Sequence, residues 1–94
     1  MIGEVLYNAQ VAHTWLLDSG ATFHMTPNKA WFSDYSTDVS GTVQLGNRQD
    51  CNIAGTGEVP IRLPNGNTLM LHQVRRVPDL KRSLVSIGML AEDR

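Results

Sequence analysis

Ninety-four residues, of which 41% are hydrophobic and 18% charged, make one small domain spanning 1–94. A net charge of −1, with basic residues scattered apart from Arg75-Arg76 and Lys81-Arg82, leaves no electrostatic footprint for nucleic acid. No apolar run reaches membrane-spanning length and no secretory leader or myristoylation pattern opens the chain, so a soluble protein without membrane attachment is expected.

The single Cys51 rules out an internal disulfide, and a lone cysteine does not make a zinc site, so no metal is expected. A free thiol suits a reducing, intracellular compartment. A chain of this size buries only about 60–65% of its unfolded surface. With no disulfide or metal to staple it, oligomerisation is the expected source of added stability.

In chain order, Val5-Leu6-Tyr7 reads as a first strand and Asn8-Ala9-Gln10 as a turn. Residues 14–18 form a second strand, whose run Trp15-Leu16-Leu17 stops at Asp18-Ser19-Gly20. Thr26 or Asn28 is placed to cap a short helical turn holding Trp31 and Phe32, and Ser33 to Ser40 is polar and turn-like. Thr42 to Leu45 and Cys51 to Ala54 alternate around the polar stretch 46–50, which predicts a hairpin. Gly55-Thr56-Gly57 loosens the chain before a strand at 59–63, where Pro60 requires an edge or a neighbouring bulge. Pro64-Asn65-Gly66-Asn67 is a strong turn, and Thr68 to Val74 returns as a strand with Leu69 and Leu71 on one face. After a loop at Val77-Pro78-Asp79-Leu80, the run Ser83 to Ile87 ends on Gly88 and leads into the start of a helix. Strands every 8–12 residues point to an all-β fold, a small closed β structure with a short helix near the C-terminus.

The chemistry turns on Asp18. Asp-Ser-Gly is ordinary turn vocabulary. A carboxylate delivered at the tip of a buried strand, however, is costly unless it is used or paired. Four separated stretches decide between these. Trp15 to Thr26 resembles the protease signature in polyproteins of copia-type LTR retrotransposons. Gly55-Thr56-Gly57-Glu58-Val59 resembles the glycine pair after their flap. Val77 to Lys81 and Ser83 to Leu90 resemble their closing segment.

The resemblance implies a retropepsin: a small closed β-barrel with one Asp-Ser-Gly per chain, active as a homodimeric aspartic endopeptidase on its own polyprotein. It needs no cofactor and works inside the cell, in the cytoplasm or in virus-like particles. Two Asp18 carboxylates held close share one proton, because both cannot ionise. The ionised one takes a proton from water and the neutral one polarises the scissile carbonyl. By the same resemblance, Ser19 locks the two loops together, Gly20 allows close backbone approach, and Ala21 helps bind the peptide. The flap spans Leu45 to Cys51, with Leu45, Gly46 and Asn47 over the substrate, and Ile87 lies beneath the active-site loop. Six residues follow Gly88, so the terminal strand by which retropepsins interleave is absent or lies beyond residue 94; if the termini do not build the interface, the dimer is expected to rest on the active-site loops and other edges.

Other residues read as structural. His24 has no second ligand close in sequence and is expected to be structural rather than catalytic, as are His13 and His72. Cys51 is a small core filler, and Trp15, Trp31 and Phe32 are core or dimer contacts. The competing functional reading is a catalytically weak or domesticated module that dimerises or binds peptides. A metal-binding domain using His24, Cys51 and His72 fits the spacing poorly.

Overall fold

The computed structural model describes residues 2–7, 14–44 and 49–92. Among them are nine strands, one 3₁₀ turn and one short helix, so the fold is all-β. The strands are β1 (Ile2–Tyr7), β2 (Thr14–Asp18), β3 (Met25–Thr26), β4 (Asp34–Ser36), β5 (Thr42–Gln44), β6 (Asp50–Asn52), β7 (Gly55–Arg62), β8 (Thr68–Arg76) and β9 (Ser83–Ser86). The helix α1 (Ile87–Glu92) closes the described chain. Seven strands form one sheet in the order β1-β2-β9-β3-β8-β7-β4, and β5 pairs with β6 in a separate hairpin. Strand β1 also touches β7 through the pair Tyr7↔Arg62.

The β7–β8 hairpin turns where expected. Gly66 takes a φ of +89°, Leu63 N–H bonds to Asn67 O at 2.7 Å, and Asn67 N–H bonds to the Asn65 side chain at 2.9 Å. Leu71 is buried and Leu69 packs beside it, as the alternation predicts. The alternation then breaks, because His72 and Gln73 together oppose Glu58 between the pairs Val59↔Leu71 and Gly57↔Val74. This is a β-bulge, and Gln73 absorbs it with a φ of +56°. It brings Val74 back to the core face. Pro60 lies two residues away, beyond the point where β4 ends opposite Glu58, so among the described residues it has no ladder partner on that side.

Three local expectations are corrected. Gly55 and Gly57 do not loosen the chain but lie inside β7. They are small for a packing reason, since a Cβ on Gly57 would overlap the Asp34 carbonyl and one on Gly55 would overlap the Tyr35 ring. The polar stretch 33–40 contains β4, an edge strand that pairs with β7 at Tyr35↔Gly57. The run 83–87 ends as a strand at Ser86, with Ile87 and Gly88 already in α1. The 3₁₀ turn Lys29–Trp31 starts after Asn28, whose side chain makes no cap bond, and Phe32 lies just beyond it.

The core has two parts. Trp15, Val59, Ile61, Leu71, Val74 and Val85 form the larger, with Trp31 and Phe32 packed on it. Met25, Cys51 and Val77 form the smaller, flanked by Ala21, Phe23, Val43 and Leu84. Cys51 is a buried filler, and the aromatics 15, 31 and 32 are core contacts, both as expected.

Candidate functional site

Asp18 ends β2 with a neighbour on each side. It pairs antiparallel with Ile2 of β1 and parallel with Ser86 of β9. Its backbone is therefore held by two ladders while its side chain stays half-exposed. The next residues form a tight turn: Gly20 N–H donates to Asp18 Oδ1 at 2.7 Å, and Ala21 N–H reaches Asp18 O at 3.4 Å. An ideal Cβ on Gly20 would stand 3.3 Å from the same oxygen. The turn thus presents the carboxylate with one oxygen anchored. Ser19 and Gly20 are exposed beside it.

The loop from Ser19 to His24 is tied across the sheet by Ser86, which bonds it at two points. Ser86 N–H donates to His24 Nδ1 at 3.0 Å, and Ser86 Oγ–H donates to Ala21 O at 2.8 Å. Met89 N–H donates to Ser86 Oγ at 3.2 Å, which caps α1. His24 and Ser86 are both buried. A second polar contact lies one turn of the pleat away, where the Thr26 and Ser83 hydroxyls meet at 2.7 Å in the interior. His24 is therefore structural in the expected sense, but its partner Ser86 was not legible in the sequence. The two lie 62 positions apart, and only the β3–β9 register brings them together.

Alongside the loop is a cavity of about 340 Å³, lined by residues 20–23 and Met25 on one side and by β5 on the other. Cys51 and Val43 root the β5–β6 hairpin in the smaller core, next to Ala21 and Phe23. The expected Leu45, Gly46 and Asn47 lie outside the described residues, as does His13. Ile87 opens α1, half-buried, and is not among the described residues lining the cavity. Arg75 is a further neighbour that no local pattern announced. Its guanidinium stacks 3.8 Å from the centre of the Phe23 ring, and burial lowers its pKa from the ordinary arginine value.

A larger hollow of about 580 Å³ lies over the bulge, between β4, β7 and β8. His72 and Glu58 pair across it at 2.6 Å, both partly exposed. It shares no lining residue with the Asp18 loop, so the smaller cavity is the one that belongs to the candidate site.

Comparison with known proteins places the chain among retrotransposon Pol polyproteins. The family described as Pol polyprotein, beta-barrel domain, matches residues 15–94. The chain is 42% identical over 72 residues to a retrovirus-related Pol polyprotein from transposon TNT 1-94 of Nicotiana tabacum, covering 77% of this chain and 5% of that one. It is 33% identical over 73 residues to a transposon Ty5-1 protein of Saccharomyces cerevisiae, covering 78% of this chain and 47% of that one. The chain thus spans a small part of the first relative and about half of the second. No solved structure matches it significantly. With the match running from Trp15 to the last residue, the chain belongs to the Pol polyprotein, beta-barrel domain family.

Proposed function

We propose that this chain is an aspartic endopeptidase unit of a retrotransposon polyprotein, active as a homodimer of the retropepsin kind. The observation that carries the reading is Asp18 itself. It is a partly exposed carboxylate at the end of a strand paired on both sides, anchored by the N–H of Gly20, which itself lines the cavity bordered by β5. Two such acids brought together across a two-fold axis share a proton, since like charges at close range cannot both ionise. The charged Asp18 accepts a proton from the attacking water. The neutral Asp18 of the second copy donates a hydrogen bond to the scissile carbonyl and then supplies the proton for the leaving amine.

The rest of the chain fits this role. Gly20 and Ala21 line the cavity where an extended peptide would lie, and β5–β6 acts as the base of a flap that excludes water when closed. By the resemblance, Ser19 steadies the loop against its copy, and Leu45, Gly46, Asn47 and Ile87 are the remaining substrate-contact candidates. The Tyr7↔Arg62 pair joins one end of the large sheet to β7, which supports a closed barrel. The substrate is the parent polyprotein, cut between apolar residues, with no cofactor.

The test is cleavage of a peptide spanning a junction of the parent polyprotein. Asp18→Asn is expected to lower kcat by at least about 10³-fold, the usual scale for losing a residue that acts as part of a unit, with the circular-dichroism spectrum unchanged. Cleavage that survives this substitution removes Asp18 from the mechanism. Sedimentation that finds only monomer under active conditions removes the dyad.

A further inference from the structure

We infer that His24 and Ser86 are positioning residues that set the aim of Asp18, a role that rests on the protease reading above. Strand pairing holds the Asp18 backbone, but it does not hold the loop that follows, which carries the N–H bonded to the carboxylate. That loop is fixed by Ser86, the residue paired with Asp18 in the β2–β9 ladder. One end is tied by Ser86 N–H to His24 Nδ1 and the middle by Ser86 Oγ to the Ala21 carbonyl. The Arg75 N–H, bonded to His24 O at 2.9 Å, fixes the same end from β8. Asp18, Ala21, Ser86 and His24 thus form one connected frame, with the Gly20–Asp18 bond as its free tip.

The chemistry of the frame explains why a histidine stands there. A backbone N–H needs an acceptor, and the buried ring supplies one at Nδ1, which places the proton of the neutral imidazole on Nε2. A dyad tolerates little error. A displacement of about 1 Å from the reacting geometry costs on the order of a hundredfold in rate, and in a symmetric dimer each substitution enters twice.

The experiment compares the wild-type chain with His24→Asn, His24→Leu and Ser86→Ala in the junction-peptide assay. Thermal unfolding reports the fold, and NMR-detected hydrogen exchange reports the Ser86 amide. Asparagine carries its carboxamide oxygen at the same distance along the side chain as Nδ1, so it keeps the acceptor. Leucine removes it. The expected result for His24→Leu is a kcat about tenfold or more below wild type with KM within about twofold, as lost positioning predicts. The Ser86 amide should then exchange faster, and His24→Asn should recover most of kcat and the amide protection. Ser86→Ala, which keeps the backbone bond and loses the tie of Oγ to the Ala21 carbonyl together with the cap on the Met89 N–H, should also lower kcat more than it raises KM. If His24→Leu does not fold, the Asn and Ala variants decide. Folded variants with wild-type kcat, or Asn and Leu variants that behave alike, overturn the positioning role while leaving the protease reading intact. A wild-type dimer that cleaves nothing overturns the protease reading, and this role falls with it.

Discussion

Gly20 is the point where the loop and the carboxylate meet, and its lack of a side chain has a measurable consequence. A Cβ there would stand 3.3 Å from Asp18 Oδ1, close enough to push the oxygen by a few tenths of an ångström. Gly20→Ala should therefore lower kcat about tenfold while changing stability by less than about 0.5 kcal/mol, since the residue is exposed. Steady-state kinetics and urea unfolding of the same preparation separate the two effects. The His72–Glu58 pair offers a contrast. It is short, at 2.6 Å, yet its side chains are 45% and 40% exposed. Solvent screens such a pair, so Glu58→Gln should cost no more than about 1 kcal/mol and leave cleavage alone. A larger loss of stability would mean that the bulge beneath it depends on this contact.

At the scale of elements, the seam between β3 and β9 is polar where a sheet interior is usually apolar. Thr26 and Ser83 satisfy each other, and Thr26 Oγ1 also accepts from Asn28 N–H at 3.3 Å. Removing one hydroxyl leaves the other buried without its partner. Thr26→Val should thus destabilise by about 1–3 kcal/mol, and the double variant Thr26→Val/Ser83→Ala by less than the sum of the singles. A denaturant double-mutant cycle with no coupling would contradict the contact. The seam was hidden from sequence because β3 is two residues long and carries no alternation of its own. Strand β4 was hidden for a related reason. Only Tyr35 of its three residues is even half-buried, so burial wrote almost no pattern into it. Gly57 is the mark β4 left elsewhere: Gly57→Ala should destabilise by about 1–3 kcal/mol or more, because the Asp34 backbone of β4 occupies the space of the new methyl group.

At the scale of the whole molecule, two modest cores hold a sheet whose key pairings join the two ends of the chain. β2 and β9 run parallel although about 65 residues separate them, so no local turn can set their register. Leu71, fully buried in the larger core, should cost about 2–5 kcal/mol as Leu71→Ala, enough to unfold a small domain near body temperature. If the proposed dimer forms, folding is linked to association, and the melting temperature should rise with protein concentration. A midpoint independent of concentration over a hundredfold range would argue against an obligate pair. Residues alone were enough for the all-β character, the strand ending at Asp18, the turn at Asn65-Gly66 and the burial of Cys51 and Trp15, because each follows from local periodicity or turn chemistry. The partnership of Ser86 with Asp18 and His24, the bulge at Gln73, the edge strand β4 and the stack of Arg75 on Phe23 came only with the fold. Each depends on strand register, and register is set by the simultaneous packing of segments far apart in the chain, which no short window of residues contains.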